Sequence, residues 1–126
     1  MTAAIGTPSA HAQTFKVLHT FGGPGDGGIP YGGLVRDSAG NLYGTTQLGG
    51  STANCGNGCV VVFKVDKTGN ETILYSFTGG ADGWQPTAGL LRDAAGNLYG
   101  TAFEGGDPSC SGQDVAGCGT VFKLAP

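Results

Sequence analysis

Basic residues and long hydrophobic runs are both scarce in this sequence. The 126-residue chain has six Lys and Arg against nine Asp and Glu, a formal net charge of −3, and its cations stand singly. Nucleic-acid binding needs clustered cations to neutralise phosphates, so this pattern argues against a nucleic-acid partner. No stretch approaches the roughly 18 consecutive apolar residues of a membrane-spanning helix, which predicts that no segment crosses a bilayer.

Motifs that carry common catalytic chemistry are absent as well. The chain contains no G-x-S-x-G nucleophile elbow, no H-E-x-x-H zinc motif and no phosphate-binding Gly-Lys-Ser/Thr loop. Asp37 and Asp93, the candidate paired acids, each follow an arginine at a predicted turn, where capping of the backbone is the simpler role. We therefore predict that the protein is not an enzyme. A hydrolase with carboxylates contributed across a subunit boundary is the remaining alternative.

Glycine and cysteine, in contrast, are well represented. The 26 glycines follow no Gly-X-Y period and alternate with β-branched and aromatic runs, which excludes collagen and predicts buried strand faces. Four cysteines in Gly-rich loops favour an oxidising compartment. Residues 1–12 end in an A-x-A pattern at Ala10 and Ala12, so we interpret them as a signal-peptide remnant or a disordered tail. Both observations predict a secreted, extracellular protein.

A block of fourteen residues occurs twice, as GLVRDSAGNLYGTT and GLLRDAAGNLYGTA. Leu34 and Leu90 lie 56 residues apart within these blocks. Phe63 and Phe122 lie 59 apart, because the second copy has a longer cysteine loop. A fixed period of this size is typical of solenoids and propellers. One repeat unit therefore occupies about 56 residues.

Each unit reads as four short antiparallel strands, A to D. GLVRD and LYGTT flank the turn SAGN, and VVFKV and ETILYSF flank DKTGN. The chain order is a D strand at 15–21, a first blade at 33–77, and the A to C strands of a second blade at 89–124. We predict an all-β fold of four-stranded, antiparallel β-propeller-type blades, two per chain, in a domain covering 13–126.

Two blades cannot close a ring, because propellers have about four to eight. We therefore predict that strand exchange between chains completes the blades, with Phe15, Val17, His19 and Phe21 forming the assembly strand on a neighbouring copy. Three or four copies would make a head-to-tail ring, and a rotation that does not close would make a filament. A fragment of a longer propeller and a small β-sandwich are the alternatives.

The four cysteines form two close pairs, Cys55 with Cys59 and Cys110 with Cys118. Four cysteines allow three pairings. The local pairing is favoured because the repeat puts each pair in an equivalent loop of its own unit. A zinc site needs four converging ligands at different spacings, so we predict two disulfides and no metal site.

Long Gly-rich connections share one rim of the predicted blades, and we expect any ligand there. The candidate binding residues are Asp26, Tyr31, Asp82 and Trp84. Trp84 stands where the first repeat has Gly28, so it is a candidate for stacking on a sugar ring, with packing against a blade or a subunit as the alternative. Asp26 and Asp82 recur at the same position, where an Asx turn is favoured and calcium is the alternative. No cofactor is predicted.

The blocks GGLVRDSAGNLYGTT, VVFKVDKTGNETILYSFTGGADG and CGTVFKL resemble the tandem repeats of the choice-of-anchor GloVer-containing family. The similarity covers nearly all of residues 15–126. It implies an exported bacterial β-repeat protein that is extracellular or attached to the surface. We expect self-assembly for extracellular structure or adhesion. A lectin-like oligomer that binds glycans on the long-loop rim is the alternative.

Overall fold

The computed structural model describes residue 6 and residues 12–50, 55–56, 58–110 and 116–126. Every regular element in these ranges is a β-strand, and every ladder is antiparallel, which confirms the predicted all-β class. Among these residues, no helix is long and apolar enough to cross a membrane. Residues 1–5 and 7–11 of the predicted signal remnant lie outside the described ranges. The strands are β1 (Gly28–Pro30), β2 (Val35–Arg36), β3 (Leu42–Leu48), β4 (Val61–Val65), β5 (Glu71–Ser76), β6 (Leu91–Arg92), β7 (Leu98–Ala102) and β8 (Thr120–Leu124).

The strands form two sheets, one from each repeat. The first sheet has the order β1-β3-β4-β5, with β2 also paired to β3, and the second has the order β6-β7-β8. The predicted count of four strands per unit is not confirmed. The first sheet has five strands, since β1 and β2 both pair with β3, and the second sheet has three.

Turn chemistry explains why the hairpins form where the sequence predicts them. In the SAGN turn, Asp37 N–H donates to the Asn41 carbonyl at 3.0 Å, and Gly40 N–H donates to the Asp37 carbonyl at 3.1 Å. Gly40 has φ 90°, a left-handed conformation that only glycine adopts without strain. Asp93 and Gly96 repeat the same bonds and the same φ in the second sheet.

Strand β1 lies between the predicted D strand at 15–21 and the predicted first blade at 33–77, in one of the long Gly-rich connections, where no strand was expected. Gly28 pairs with Leu48 at the start of this short ladder. Hydrophobic periodicity does not predict this strand, because it is three residues long and contains a glycine and a proline. Ile29 has φ 53°, a strained conformation for a β-branched residue. Gln85, its equivalent 56 residues later, has the same φ.

Residues 15–21, the predicted D strand, form no strand in the single chain. The segment nevertheless contacts the first sheet, because the Phe21 ring lies edge-to-face on the Phe63 ring with centroids 5.0 Å apart. Its pairing with another copy is a matter of assembly and stays a prediction.

The hydrophobic core lies between the two sheets. Val60, Val62 and Phe77 of the first repeat form one buried cluster with Leu90 and Leu98 of the second. Phe122 packs against this cluster, with its ring 5.2 Å from that of Phe77. The two sheets are therefore joined by a continuous apolar contact.

Candidate functional site

The outer edge of β8 is the first unusual surface of the molecule. Strand β4 is paired on both sides, by β3 and β5, whereas among the described residues β8 pairs with β7 alone. Val62 of β4 is 0% exposed, and its equivalent Val121 on β8 is 83% exposed. A groove of about 350 Å³ runs along this edge, between Tyr75 and Phe77 on one side and Val121 on the other. An open edge with an apolar side chain is a site for strand pairing.

The segment 15–21 contacts the first sheet in the same way as β5 and Phe77 contact the second. Phe21 lies on Phe63 just as Phe77 lies on Phe122, with centroid distances of 5.0 and 5.2 Å. Its side chains are largely exposed, and Phe15 is 90% exposed. The segment therefore takes the place against the first sheet that β5 and Phe77 take against the second.

The hydrogen bonds of this segment repeat those of β5. His19 Nε2 lies 3.1 Å from Asp26 Oδ1, and Tyr75 Oη donates to Asp82 Oδ2 at 3.0 Å. Histidine thus takes the place of tyrosine as the partner of the recurring aspartate. This match in side-chain contacts extends the sequence repeat back to the N-terminal segment.

Two further surfaces point away from the core, one on each sheet. We call them the outer face of the first sheet, defined by Leu34, Leu42, Phe63 and Val65, and the outer face of the second sheet, defined by Leu91, Tyr99, Phe103 and Val121. On the first, a groove of about 370 Å³ includes Leu34 and the ring of Phe21 in its lining. On the second, Leu91, Phe103 and Val121 are all exposed. On the first face Leu34 is exposed, whereas Phe63 and Val65 are buried and the Phe21 ring lies on Phe63. The first face is therefore open around Leu34, and the second is open at all three of these residues.

Side chains reach across the inter-sheet contact at several points. The guanidinium carbon of Arg92 lies 5.6 Å from the centre of the Tyr43 ring, a cation–π distance. The segments that lead into β2 and β6 approach so closely that a Cβ on Gly32 would lie 2.7 Å from the Ala88 carbonyl oxygen. This contact shows how one sheet of this protein packs on the next.

The two recurring aspartates lie in turns of their own repeats. Asp82 accepts hydrogen bonds from Thr78 N–H at 2.8 Å, from Thr78 Oγ1 at 2.7 Å and from Tyr75 Oη at 3.0 Å. Partial burial alone would raise the pKa of Asp82, but these bonds outweigh it and hold the pKa below its ordinary value. Asp26 accepts from Gly22 N–H at 2.6 Å. Each carboxylate accepts from the backbone N–H four residues before it, whereas an Asx turn uses the N–H two residues after the aspartate. The predicted Asx turn is therefore wrong in its geometry, and a ligand role for either aspartate stays a prediction.

The aromatic candidates for ligand binding lie in different surroundings. Trp84 is partly buried and packs against the inter-sheet core. Its backbone pairs with Glu104 through bonds of 2.7 and 3.0 Å, at the position equivalent to the Gly28–Leu48 pair. Tyr31 is exposed. The two rings therefore differ in exposure, and carbohydrate stacking by either stays a prediction.

Both predicted disulfides are present. Cys55 is bonded to Cys59 and Cys110 to Cys118, so the local pairing is confirmed. Cys59 is fully buried at the start of the segment that leads into β4. Within the described ranges, no group of three or more His, Cys, Asp and Glu side chains could hold a metal ion.

Two tyrosines have a role that sequence reasoning missed. Tyr43 Oη donates to Asp37 Oδ2 at 2.9 Å, and Tyr99 Oη donates to Asp93 Oδ2 at 3.0 Å. Hydrogen bonds lower the pKa of Asp37 to about 2. The side-chain amide of Asn41 contributes most, and the backbone N–H of Asn41 and the Tyr43 hydroxyl add to it, while burial acts in the opposite direction. The signal was available, since Asp and Tyr recur at the same spacing in both fourteen-residue blocks.

Comparisons with known proteins agree with this repeat geometry. Neither the curated proteins nor the solved structures include a significant match to the chain. The model of the family described as the Gloeobacter/Verrucomicrobia repeat matches residues 6–126. This match spans both sheets and the segment that precedes them, and it confirms the resemblance to the GloVer repeats. The chain therefore belongs to the Gloeobacter/Verrucomicrobia repeat family.

Proposed function

We propose that this protein is a secreted, non-enzymatic β-repeat protein that assembles with itself in an extracellular structural or adhesive role. Copies join when the segment 15–21 of one pairs with the β8 edge of another and completes a four-stranded, blade-like sheet. The outer edge of β8 carries the proposal, because among the described residues β8 pairs with β7 alone, whereas the equivalent strand β4 pairs with both β3 and β5. The two disulfides are compatible with export.

The register of this joint follows from the β4–β5 ladder. Val62 pairs with Tyr75 and Lys64 pairs with Thr72. Shifting these residues by their repeat offsets places His19 opposite Val121, and Lys16 opposite Lys123. Directly opposed residues in an antiparallel pair have Cβ atoms about 4.5–5.5 Å apart, which is close enough for engineered cysteines to form a disulfide.

Light scattering of the oxidised protein after gel filtration tests assembly. We expect a discrete mass several times the 12.5 kDa chain for a ring, or a broad distribution of large masses for a filament. A monomer at concentrations up to the millimolar range would overturn the proposal.

Cysteine exchange tests the register. His19→Cys and Val121→Cys proteins are mixed and oxidised, and covalent dimers are counted on a non-reducing gel. We expect dimers in the mixture and almost none from either variant alone. A Thr68→Cys protein, with its thiol in an exposed turn, replaces His19→Cys as the matched control. Dimers that form equally well with this control would contradict pairing of 15–21 with β8.

Glycan binding is the second candidate, favoured by the exposed ring of Tyr31, since aromatic rings are amphipathic contact surfaces. A glycan array probed with the assembled protein tests it. Saturable binding that is lost in Tyr31→Ala or Trp84→Ala supports a lectin-like role. Binding to no glycan would leave the structural role alone.

A further inference from the structure

We propose that the two outer faces are a matched pair, and that the outer face of the second sheet of one copy docks on the outer face of the first sheet of another. This inference rests on the proposed self-assembly and extends it from the strand edge to the broad faces. The docked faces repeat, between chains, the contact that joins the two sheets within one chain.

The outer face of the first sheet matches a surface that is already buried in the molecule. Leu34 is 58% exposed, and Leu90, its equivalent in the second sheet, is 7% exposed because the first sheet covers it. Leu34 and Phe63 converge on Gly44, where a Cβ would lie 2.7 Å from either side chain. Leu90 and Phe122 converge on Gly100 in the same way. The two surfaces therefore share this arrangement, and Leu34 on the first sheet lacks the cover that Leu90 has on the second.

The outer face of the second sheet matches the surface that provides this cover. Val62 of the first sheet belongs to the core cluster, and Val35 packs against it. Their equivalents Leu91 and Val121 are 74% and 83% exposed. A second copy would therefore meet, on this face, apolar side chains at the positions that already bind a sheet inside the chain.

Charge placement agrees with the same arrangement. Within the chain, Arg92 of the second sheet lies over the Tyr43 ring of the first. Their equivalents are Arg36, on the first sheet, and Tyr99, on the second. Docking that repeats the internal contact would bring Arg36 of one copy over Tyr99 of the other.

The occupant of these faces is a second copy of this chain rather than an unrelated protein. Each exposed residue named above has a buried equivalent whose partner surface is present in the same molecule. The contact is also heterologous, since it joins two different faces. Each copy therefore has one donor face and one acceptor face, and blocking one leaves the other free.

Two face-blocked variants test the docking. Leu34→Glu blocks the first-sheet face, and Leu91→Glu blocks the second-sheet face away from the β8 edge. Both side chains are exposed in the single chain, so we expect each variant to fold and to be monomeric by light scattering. In a 1:1 mixture the remaining intact faces are complementary, so we expect a dimer of about twice the chain mass and nothing larger. Ala94→Glu, at an exposed turn, is the control and should assemble like the unmodified protein.

Other outcomes separate the docking from the proposed function. If either blocked variant assembles like the unmodified protein, or if the mixture stays monomeric, the docking is wrong while self-assembly stands. If the unmodified protein is itself monomeric, both are wrong. Thermal melting confirms that each variant is folded, and Leu34→Lys replaces Leu34→Glu if that variant is not. As a second readout, Arg36→Gln should weaken association about 2- to 5-fold, and an unchanged affinity would contradict the stacking on Tyr99.

Discussion

Strands β4 and β8 occupy the same position in the two sheets and differ chiefly in what covers them. Val61, Val62 and Phe63 are buried on β4, whereas β8 alternates between exposed and half-buried residues. The sequences of the two strands, VVFKV and TVFKL, are nearly the same. Burial in this molecule is therefore set by the neighbouring strand and sheet rather than by the residues of the strand itself.

At the leucines that precede β2 and β6 the exposure is reversed, since here the residue of the second sheet is the buried one. Leu90 is buried against the first sheet, whereas its equivalent Leu34 is exposed. Each sheet thus has one face covered by the other sheet and exposed apolar side chains on its opposite face. The following experiments alter equivalent residues in pairs, so that the sequence change is the same and only the surroundings differ.

The largest difference is expected for a charge placed on β4 or on β8. Val62→Asp puts an unpaired carboxylate into the inter-sheet core and should lower the free energy of unfolding by about 3–5 kcal/mol. Val121→Asp should change it by less than about 0.5 kcal/mol in the dissociated chain. Urea titrations at concentrations where the chain is monomeric measure both. Similar losses in the two variants would mean that β8 is covered within the single chain.

A smaller difference is expected for leucine truncation. Leu90→Ala should cost about 2–5 kcal/mol through lost burial and the cavity left behind, and Leu34→Ala less than about 1 kcal/mol. The same titrations measure these values. In the assembled protein the second value should rise toward the first, since docking would bury Leu34. A cost for Leu34→Ala that does not depend on concentration would contradict that.

Acid should act equally on both sheets, because the Asp37 and Asp93 turns are alike. Hydrogen bonds from the Asn41 amide lower the pKa of Asp37 from 3.8 to about 2, and those from Asn97 lower the pKa of Asp93. A lowered pKa in the folded state favours folding above the ordinary pKa, and this contribution is lost as pH falls. We expect stability to drop between about pH 4 and pH 2. Asp37→Asn and Asp93→Asn should each reduce that slope by a similar amount, as measured by urea titrations across this range.

The smallest effect is expected at the joint between copies. In the proposed register Lys16 faces Lys123, whereas its equivalent Thr72 faces Lys64. Opposed like charges on paired strands disfavour pairing, and such pairs contribute about 0.2–1 kcal/mol. Lys16→Thr should therefore tighten association by about 1.4- to 5-fold, as measured by the concentration dependence of light scattering. Lys67→Thr, which removes a charge at an exposed turn, should leave association unchanged.

Sequence reasoning found the hairpins because their signals are local. A glycine at the required left-handed position and an aspartate that binds the turn backbone mark each tight connection, and β3, β4, β5, β7 and β8 all lie within their predicted segments or extend them slightly. The cysteine pairing was predictable for a related reason, since the repeat allots one pair to each unit. Strand β1 was harder to predict. Its three residues include no alternating pattern, and its pairing with β3 depends on Gly27 and Gly49 approaching closely.

Trp84 shows where repeat reasoning reached its limit. The sequence comparison treated a residue found in one copy as a candidate for surface binding, because a core residue should recur in both. In the structure Trp84 packs on the inter-sheet core, whereas its equivalent Gly28 pairs with Leu48 in the first sheet and is not part of that core. Two copies of a repeat in one chain have different neighbours, so a difference in sequence between them can reflect position along the chain as well as ligand binding.

The inter-sheet core also bears on how such a chain can lengthen. Leu90 and Leu98 of this core are matched by Leu34 and Leu42 on the first sheet, and Val62 is matched by Val121 on the second. A third 56-residue unit inserted after β8 would therefore meet apolar side chains at matching positions. Leu91 and Val121 would become interior residues, and the new last sheet would present the same open face. An array built from this unit can therefore grow by simple duplication, without any new interface having to evolve at each step.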